Sequence, residues 1–349
     1  MATDLSIVEG SYLRDLLAQP RALKDTLDQL DQTRDLQTLV GALNRGKFKT
    51  VVLTGMGSSF HALNPLLMQL MQYGLPAVLV ETSELIYFWR RLLKPSSLVV
   101  AVSQSGSSVE IIRFLKLNRG RAPVIAVTNT ADSPLAKRGA AVICTRAGEE
   151  FSVSCKTYVS ALLALKFLGD QLCLIPSTRT RRELKAALPP VRAYLERWRE
   201  HVECLAPKLA GIRQLFLVGR GPSLAAVGTG ALILKESTRF PAEGLSSAAF
   251  RHGPFEMLGP ETFVLVFGGI SKTRELNRRL LEDIRKEQGR AEFVTEHSDG
   301  GAFCLASVPP SVLPILEILP VQMMTLSLST MTACEPGKFR FAKKITTTE

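Results

Sequence analysis

From about residue 50 onward, short apolar runs alternate with amphipathic stretches of helix length. Val51–Leu53, Ala77–Val80, Leu98–Val102, Val124–Val127 and Ala141–Ile143 are continuous apolar blocks. Strands covered on both faces of a parallel sheet read this way, whereas a half-exposed strand alternates. The pattern predicts a five-stranded parallel sheet flanked by helices. A second series follows: strands at Leu215–Val218, Phe263–Phe267 and Phe293–Thr295, helices over 223–238 and 272–288, and a long apolar helix near 312–333. Both series open alike, with an apolar strand, a short glycine-containing turn and a long helix. The turns read Gly55-Met56-Gly57-Ser58-Ser59 and Gly219-Arg220-Gly221-Pro222-Ser223. The chain is therefore expected to be a duplicated α/β protein, each copy a five-stranded sheet in a three-layer α/β/α arrangement. The expected organisation is a helical segment over 1–45, domains over 46–185 and 195–333, and a tail over 334–349. Pro176–Pro190, rich in Pro, Thr and Arg, is expected to connect the halves.

With 349 residues, 46% hydrophobic and 21% charged, the chain has room for two domains with their own cores. Lys and Arg outnumber Asp and Glu by 43 to 32. These charges are dispersed, and no helix-turn-helix or aromatic-basic pattern accompanies them, so no nucleic-acid partner is expected. Six scattered cysteines without a C-x-x-C pair predict free thiols in a reducing, cytoplasmic setting and no metal site. Met1–Glu9 lacks the basic and apolar regions of a leader. The apolar stretch Val312–Cys334 contains Glu317, Pro314 and Pro320, which predicts a buried core helix rather than a membrane span.

The most telling chemistry follows the third apolar run. Val102 gives way at once to Ser103-Gln104-Ser105-Gly106-Ser107-Ser108, and a helical pattern begins with Ile111, Ile112, Phe114 and Leu115. A hydroxyl-rich turn at a helix N-terminus suits a phosphate. Ser107 and Glu110 have the spacing of a capping box. The turn has no lysine and lacks nucleotide P-loop spacing, which points to a small phosphate ester. Ser59 ends the first strand in a similar turn, and loops at the carboxyl ends of neighbouring parallel strands can share one ligand.

In the second half, Glu236 ends the apolar run Leu232-Ile233-Leu234, and His252 precedes a Gly-Pro corner. A carboxylate and an imidazole are the groups that proton transfer near neutral pH requires. His61, His201 and His297 lack comparable settings.

The stretches SQSGSS (103–108), EEFSVSCKTY (149–158), GALILKE (230–236), AAFRHGP (248–254) and FAKKITTTE (341–349) together resemble the double SIS (sugar isomerase) proteins. These include the isomerase half of glucosamine-6-phosphate synthase, amino-sugar-phosphate deaminases and fructosamine-6-phosphate deglycases. The resemblance runs from about residue 30 to Glu349. It implies that Ser59, Ser103, Gln104, Ser105 and Ser108 surround the phosphate and that Ser154 contacts a sugar hydroxyl. It further implies that Glu236 moves a proton between C1 and C2 and that His252, from a neighbouring subunit, opens the ring. Lys343 would lie on a tail folded over the open-chain sugar. A homodimer without cofactor or metal is implied.

Two departures narrow the expectation. The synthase has a lysine three residues before its glutamate, where this chain has Ile233. No glutaminase-like segment precedes the first unit, so glutamine-dependent amino transfer is not expected. Cys155 stands where the family usually has Thr. The expected protein is an enzyme acting on a 6-phosphorylated amino sugar or sugar–amine conjugate, with a catalytically impaired phosphosugar sensor as the alternative.

Overall fold

The computed structural model describes residues 5–296, 301–341 and 344–346. The chain contacts divide it into two compact units. One comprises Arg21–Glu149, Lys156–Lys185 and the chain end after Phe341. The other comprises the residues up to Pro20, Glu150–Cys155 and Ala186–Phe341.

The first unit is built on strands β1 (Thr50–Gly55), β2 (Ala77–Glu81), β3 (Ser97–Val102), β4 (Val124–Thr128) and β5 (Ala141–Cys144). They form one sheet in the order β2-β1-β3-β4-β5 with every pair parallel. Every residue of β3 and β4 is buried, as their unbroken apolar sequences require. Val52, Val99, Ala101, Val124 and Ala126 pack against Ile111, Phe114 and Leu115 of helix Val109–Asn118. Helix Lys156–Leu172 lies on the sheet and also contacts helix Asn64–Gln72.

The second unit contains β6 (Gln214–Gly219), β7 (Ala242–Ser246), β8 (Thr262–Phe267) and β9 (Arg290–Val294), in the parallel order β7-β6-β8-β9. This repeats the order of the first four strands of the first unit. The expected fifth strand is absent among the described residues. Only a parallel bridge between Thr295 and Cys304 continues the sheet beyond β9. Strand β7 has no apolar run (Ala-Glu-Gly-Leu-Ser), because it is a half-exposed edge strand. Its Gly244 admits helix Leu224–Thr238, since a Cβ there would stand 2.6 Å from the Val227 carbonyl oxygen.

The apolar stretch forms helix Leu313–Thr332, and 89% of its most apolar window is buried inside the protein. It is a core helix, packed on helices Leu224–Thr238 and Trp198–Leu209. Pro176–Pro190 contains the changeover between the two units, after Lys185. It is helical over Ser177–Ala186, and a further helix, Leu188–Glu196, starts at the double proline. Proline is tolerated in a first turn because the N–H it lacks would have no partner there.

Candidate functional site

In the first unit, β1 and β3 are neighbours paired Thr54 to Ala101, so their carboxyl ends lie side by side. The turn after β1 passes through Gly57 at φ +51° and starts the short helix Gly57–His61, which carries Ser59. The turn after β3 holds Ser103, Gln104, Ser105 and Ser108. All five expected phosphate contacts therefore share one sheet edge.

This second turn is held by its own polar groups. The Gly106 N–H donates to Ser103 Oγ at 3.2 Å, and the Ser107 N–H donates to Ser105 Oγ at 3.3 Å. The Gln104 carbonyl accepts from the Asn129 N–H at 3.0 Å and from the Thr128 hydroxyl at 3.2 Å. The Leu135 N–H donates to the Gly106 carbonyl at 3.1 Å. Gly106 sits at φ +61°, and a Cβ there would fall 2.2 Å from Ser133 Oγ. No other residue fits this corner without displacing the Ser133 cap of helix Pro134–Arg138.

The expected capping box does not form. The left-handed corner at Gly106 delays the helix by one residue, so Ser108 becomes the N-cap, and its side chain makes no capping bond. Glu110 falls within the first turn, where it is buried with Oε2 unpartnered. The helix's first N–H, on Val109, donates to the carbonyl of Thr346 at 3.2 Å. The chain end thus reaches the turn, and Lys343 lies outside the described residues.

The remaining candidates belong to the second unit. Ser154 is half-buried in the segment Glu150–Cys155, where the Cys155 N–H donates to Glu150 Oε1 at 2.9 Å. Glu236 is half-buried near the end of helix Leu224–Thr238. His252 is exposed and follows helix Ser247–Arg251, with its N–H on the Ala249 carbonyl at 2.9 Å. Gly253 at φ +128° turns the chain immediately afterwards. Along the chain, Glu236 lies on the helix that precedes β7, and His252 follows the short helix Ser247–Arg251 after it. Ile233 is fully buried and faces the core.

Of the other histidines, His201 is a core residue. It stacks on Tyr194 at 4.2 Å between ring centroids, and burial lowers its pKa. His61 ends the short helix after β1 and meets Phe60 edge-on, and His297 lies outside the described residues. No disulfide joins any of the six cysteines. Among the described residues, no three His, Cys, Asp or Glu side chains are grouped to hold a metal ion. Sequence reasoning missed Thr128 and Asn129, which brace the Gln104 carbonyl. Their signal was a polar Thr-Asn-Thr run after β4, the same feature that marked the turn after β3.

Comparison with known proteins agrees with this architecture. The profile of the SIS domain matches residues 47–169, the span from β1 into helix Lys156–Leu172. The glutamine–fructose-6-phosphate aminotransferase (isomerizing) of Pyrococcus horikoshii is 26% identical over 98% of this chain and 58% of its own length. The chain thus spans little more than half the length of the curated relatives it matches. Among solved structures, the C-terminal domain of the Francisella tularensis glucosamine-fructose-6-phosphate aminotransferase superposes with a TM-score of 0.84. It is 18% identical and covers 95% of this chain and 98% of that one. The glucosamine-6-phosphate deaminase of Thermotoga maritima gives 0.78 at 18% identity, covering 97% and 100% of the two chains. At these identities the superpositions concern the fold. Residues 47–169 thus carry an SIS domain, and the chain is similar over nearly its whole length to part of the glutamine–fructose-6-phosphate aminotransferases.

Proposed function

We propose that the protein is an enzyme acting on a 6-phosphorylated amino sugar or sugar–amine conjugate, either releasing ammonia or an amine or interconverting aldose and ketose. The observation that carries this reading is the braced Ser103–Ser108 turn beside Ser59, at the carboxyl edge of β1 and β3 and at the start of a ten-residue helix. Hydroxyls and helix N–H groups hold a phosphate there without a lysine. In this reading Ser59, Ser103, Gln104, Ser105 and Ser108 grip the phosphate, and Ser154 contacts a sugar hydroxyl. The phosphate's binding energy then positions the reacting carbons.

Glu236 is the group proposed to move the proton. As a carboxylate it takes a proton from one of C1 and C2, and as the acid it returns that proton to the other. His252 is proposed to open the ring, and Lys343 to act from the tail. His252 is proposed to serve the other copy's substrate in a homodimer, as the resemblance implies. Buried Ile233 offers neither a proton nor an amine, and this observation favours the second reading, a phosphosugar sensor that binds without turnover.

The test is product assay with glucosamine 6-phosphate, with fructose 6-phosphate plus ammonia, and with fructosamine 6-phosphates. Turnover of any one, abolished by Glu236→Gln with binding retained, supports the enzyme. Tight binding with no turnover supports the sensor. Ser105→Ala is expected to weaken binding of the phosphate ester about tenfold or more, and unchanged affinity would overturn the cradle.

A further inference from the structure

The second unit has its own cavity of about 270 Å³ at the carboxyl edge of its sheet, lined in part by Gly269, Ser271, Arg274, Thr295, Ser307 and Glu317. Gly269 and Ser271 follow β8, and Thr295 follows β9, so the cavity occupies the edge that in the first unit carries the Ser103–Ser108 turn. Glu236 and His252 do not line it.

Its chemistry has two ends. At one, helix Ser271–Lys286 begins with no side-chain cap and no acidic residue in its first turn. The Arg274 guanidinium holds Glu296 through one terminal nitrogen at 2.8 Å, while its buried Nε has no partner. An uncapped sixteen-residue helix start and an unpartnered guanidinium N–H both favour an anion. At the other end, Glu317 is 1% exposed. Its Oε1 accepts from the Ser223 hydroxyl at 2.8 Å, and its Oε2 has no partner. A buried carboxyl with an unmade hydrogen bond is costly, and a ligand hydroxyl in the cavity would complete it. Gly269 makes the approach possible: it sits at φ +66°, and a Cβ there would stand 3.0 Å from Ser223 Oγ.

We propose that this cavity is a second ligand site, which binds a small hydroxylated phosphate ester with its phosphate at Ser271 and Arg274 and a hydroxyl on Glu317. The volume lies just below the roughly 300–1,000 Å³ of drug-sized ligand sites, which suits a monosaccharide phosphate. Such a site, apart from Glu236 and His252, gives the protein a means of responding to a sugar phosphate independently of turnover.

Equilibrium dialysis with labelled fructose 6-phosphate against the whole protein tests this. The wild type should bind two equivalents per chain. Ser271→Glu places an acid in the helix's first turn, where it favours the helix while repelling an anion. It should weaken one equivalent at least tenfold and leave the other, as should Arg274→Met. Ser105→Ala should weaken only the remaining equivalent, so failure of the cradle and failure of this cavity give different patterns. Glu317→Gln should change fructose 6-phosphate affinity at this site and leave that of inorganic phosphate unchanged. A single equivalent that survives Ser271→Glu, or two that both survive it, would overturn the proposal. So would inorganic phosphate binding as tightly as the sugar ester, since no hydroxyl would then be engaged.

Discussion

Gly106 and Glu317 show how much of this protein's chemistry rests on single side chains, one absent and one buried. At Gly106, a methyl group would meet Ser133 Oγ at 2.2 Å and Ser133 Cβ at 2.6 Å, on a backbone at φ +61°. Gly106→Ala should therefore cost about 2 kcal/mol of stability and loosen the cradle together. The expected outcome is a lower Tm and a loss of fructose 6-phosphate affinity in titration calorimetry. A loss of stability with affinity intact would show that the corner is merely structural. Glu317 has the opposite character. Burial pushes its pKa from 4.5 up to about 7, against the opposing hydrogen bond from Ser223. Between those values the unfolded chain loses the proton that the folded chain keeps, so stability falls as pH rises through that window and levels off above it. A shift of that size amounts to about 3 kcal/mol. Glu317→Gln should remove the slope, so that the variant is the more stable protein at pH 8 and close to the wild type at pH 5. Urea denaturation at the two pH values reads this directly, and an equal difference at both would refute it.

Among the helices and strands, glycine marks where two elements touch, and the sign of its replacement depends on what is there. Gly230 lies in helix Leu224–Thr238, where a Cβ would stand 2.6 Å from Leu217 Cδ2 of β6 and 3.2 Å from Val321 of helix Leu313–Thr332. Gly41, in helix Arg34–Asn44, faces only the flexible end of Arg45. Gly230→Val should cost about 1–3 kcal/mol through overpacking. Gly41→Ala should stabilise by up to about 1 kcal/mol through helix propensity. Opposite signs in thermal denaturation would confirm the distinction, and a neutral Gly230→Val would show that the three elements give way. At this scale, legibility in the sequence followed apolar continuity. The continuous apolar blocks of β1–β5, edge strand β2 included, announced themselves, while β7 did not, because Glu243 and Gly244 interrupt it. Pro189 and Pro190 open helix Leu188–Glu196 rather than break it, since both stand in its first turn.

Across the molecule, each unit has polar anchors that no local motif discloses. In the first, Lys166 bridges Asp170 and Glu183, at 3.1 Å to the latter, with side chains 8%, 2% and 11% exposed. Thr180 also donates to Asp170 at 2.7 Å. Lys166→Met would leave buried Asp170 without its cation, while Glu183 keeps Arg179 at 2.8 Å, and should cost about 3–5 kcal/mol in chemical denaturation. A cost under about 1 kcal/mol would mean that water already reaches the pair.

The sequence alone determined the repeated strand–turn–helix pattern, the parallel sheets and the polar turns at their edges. Each depends on near neighbours in the chain: apolar runs, glycine corners, and caps within a few residues. It also pointed to Ser59 and the Ser103–Ser108 turn as companions, because strand order in such folds is constrained. Only the tertiary structure decided that the second sheet has four strands among the described residues and that Ile233 is core. It alone joined the Ser223 hydroxyl to Glu317, ninety-four residues away, beside the helix start at Ser271. Burial and an unmade hydrogen bond are properties of distant chain segments brought together, and no local spacing encodes them.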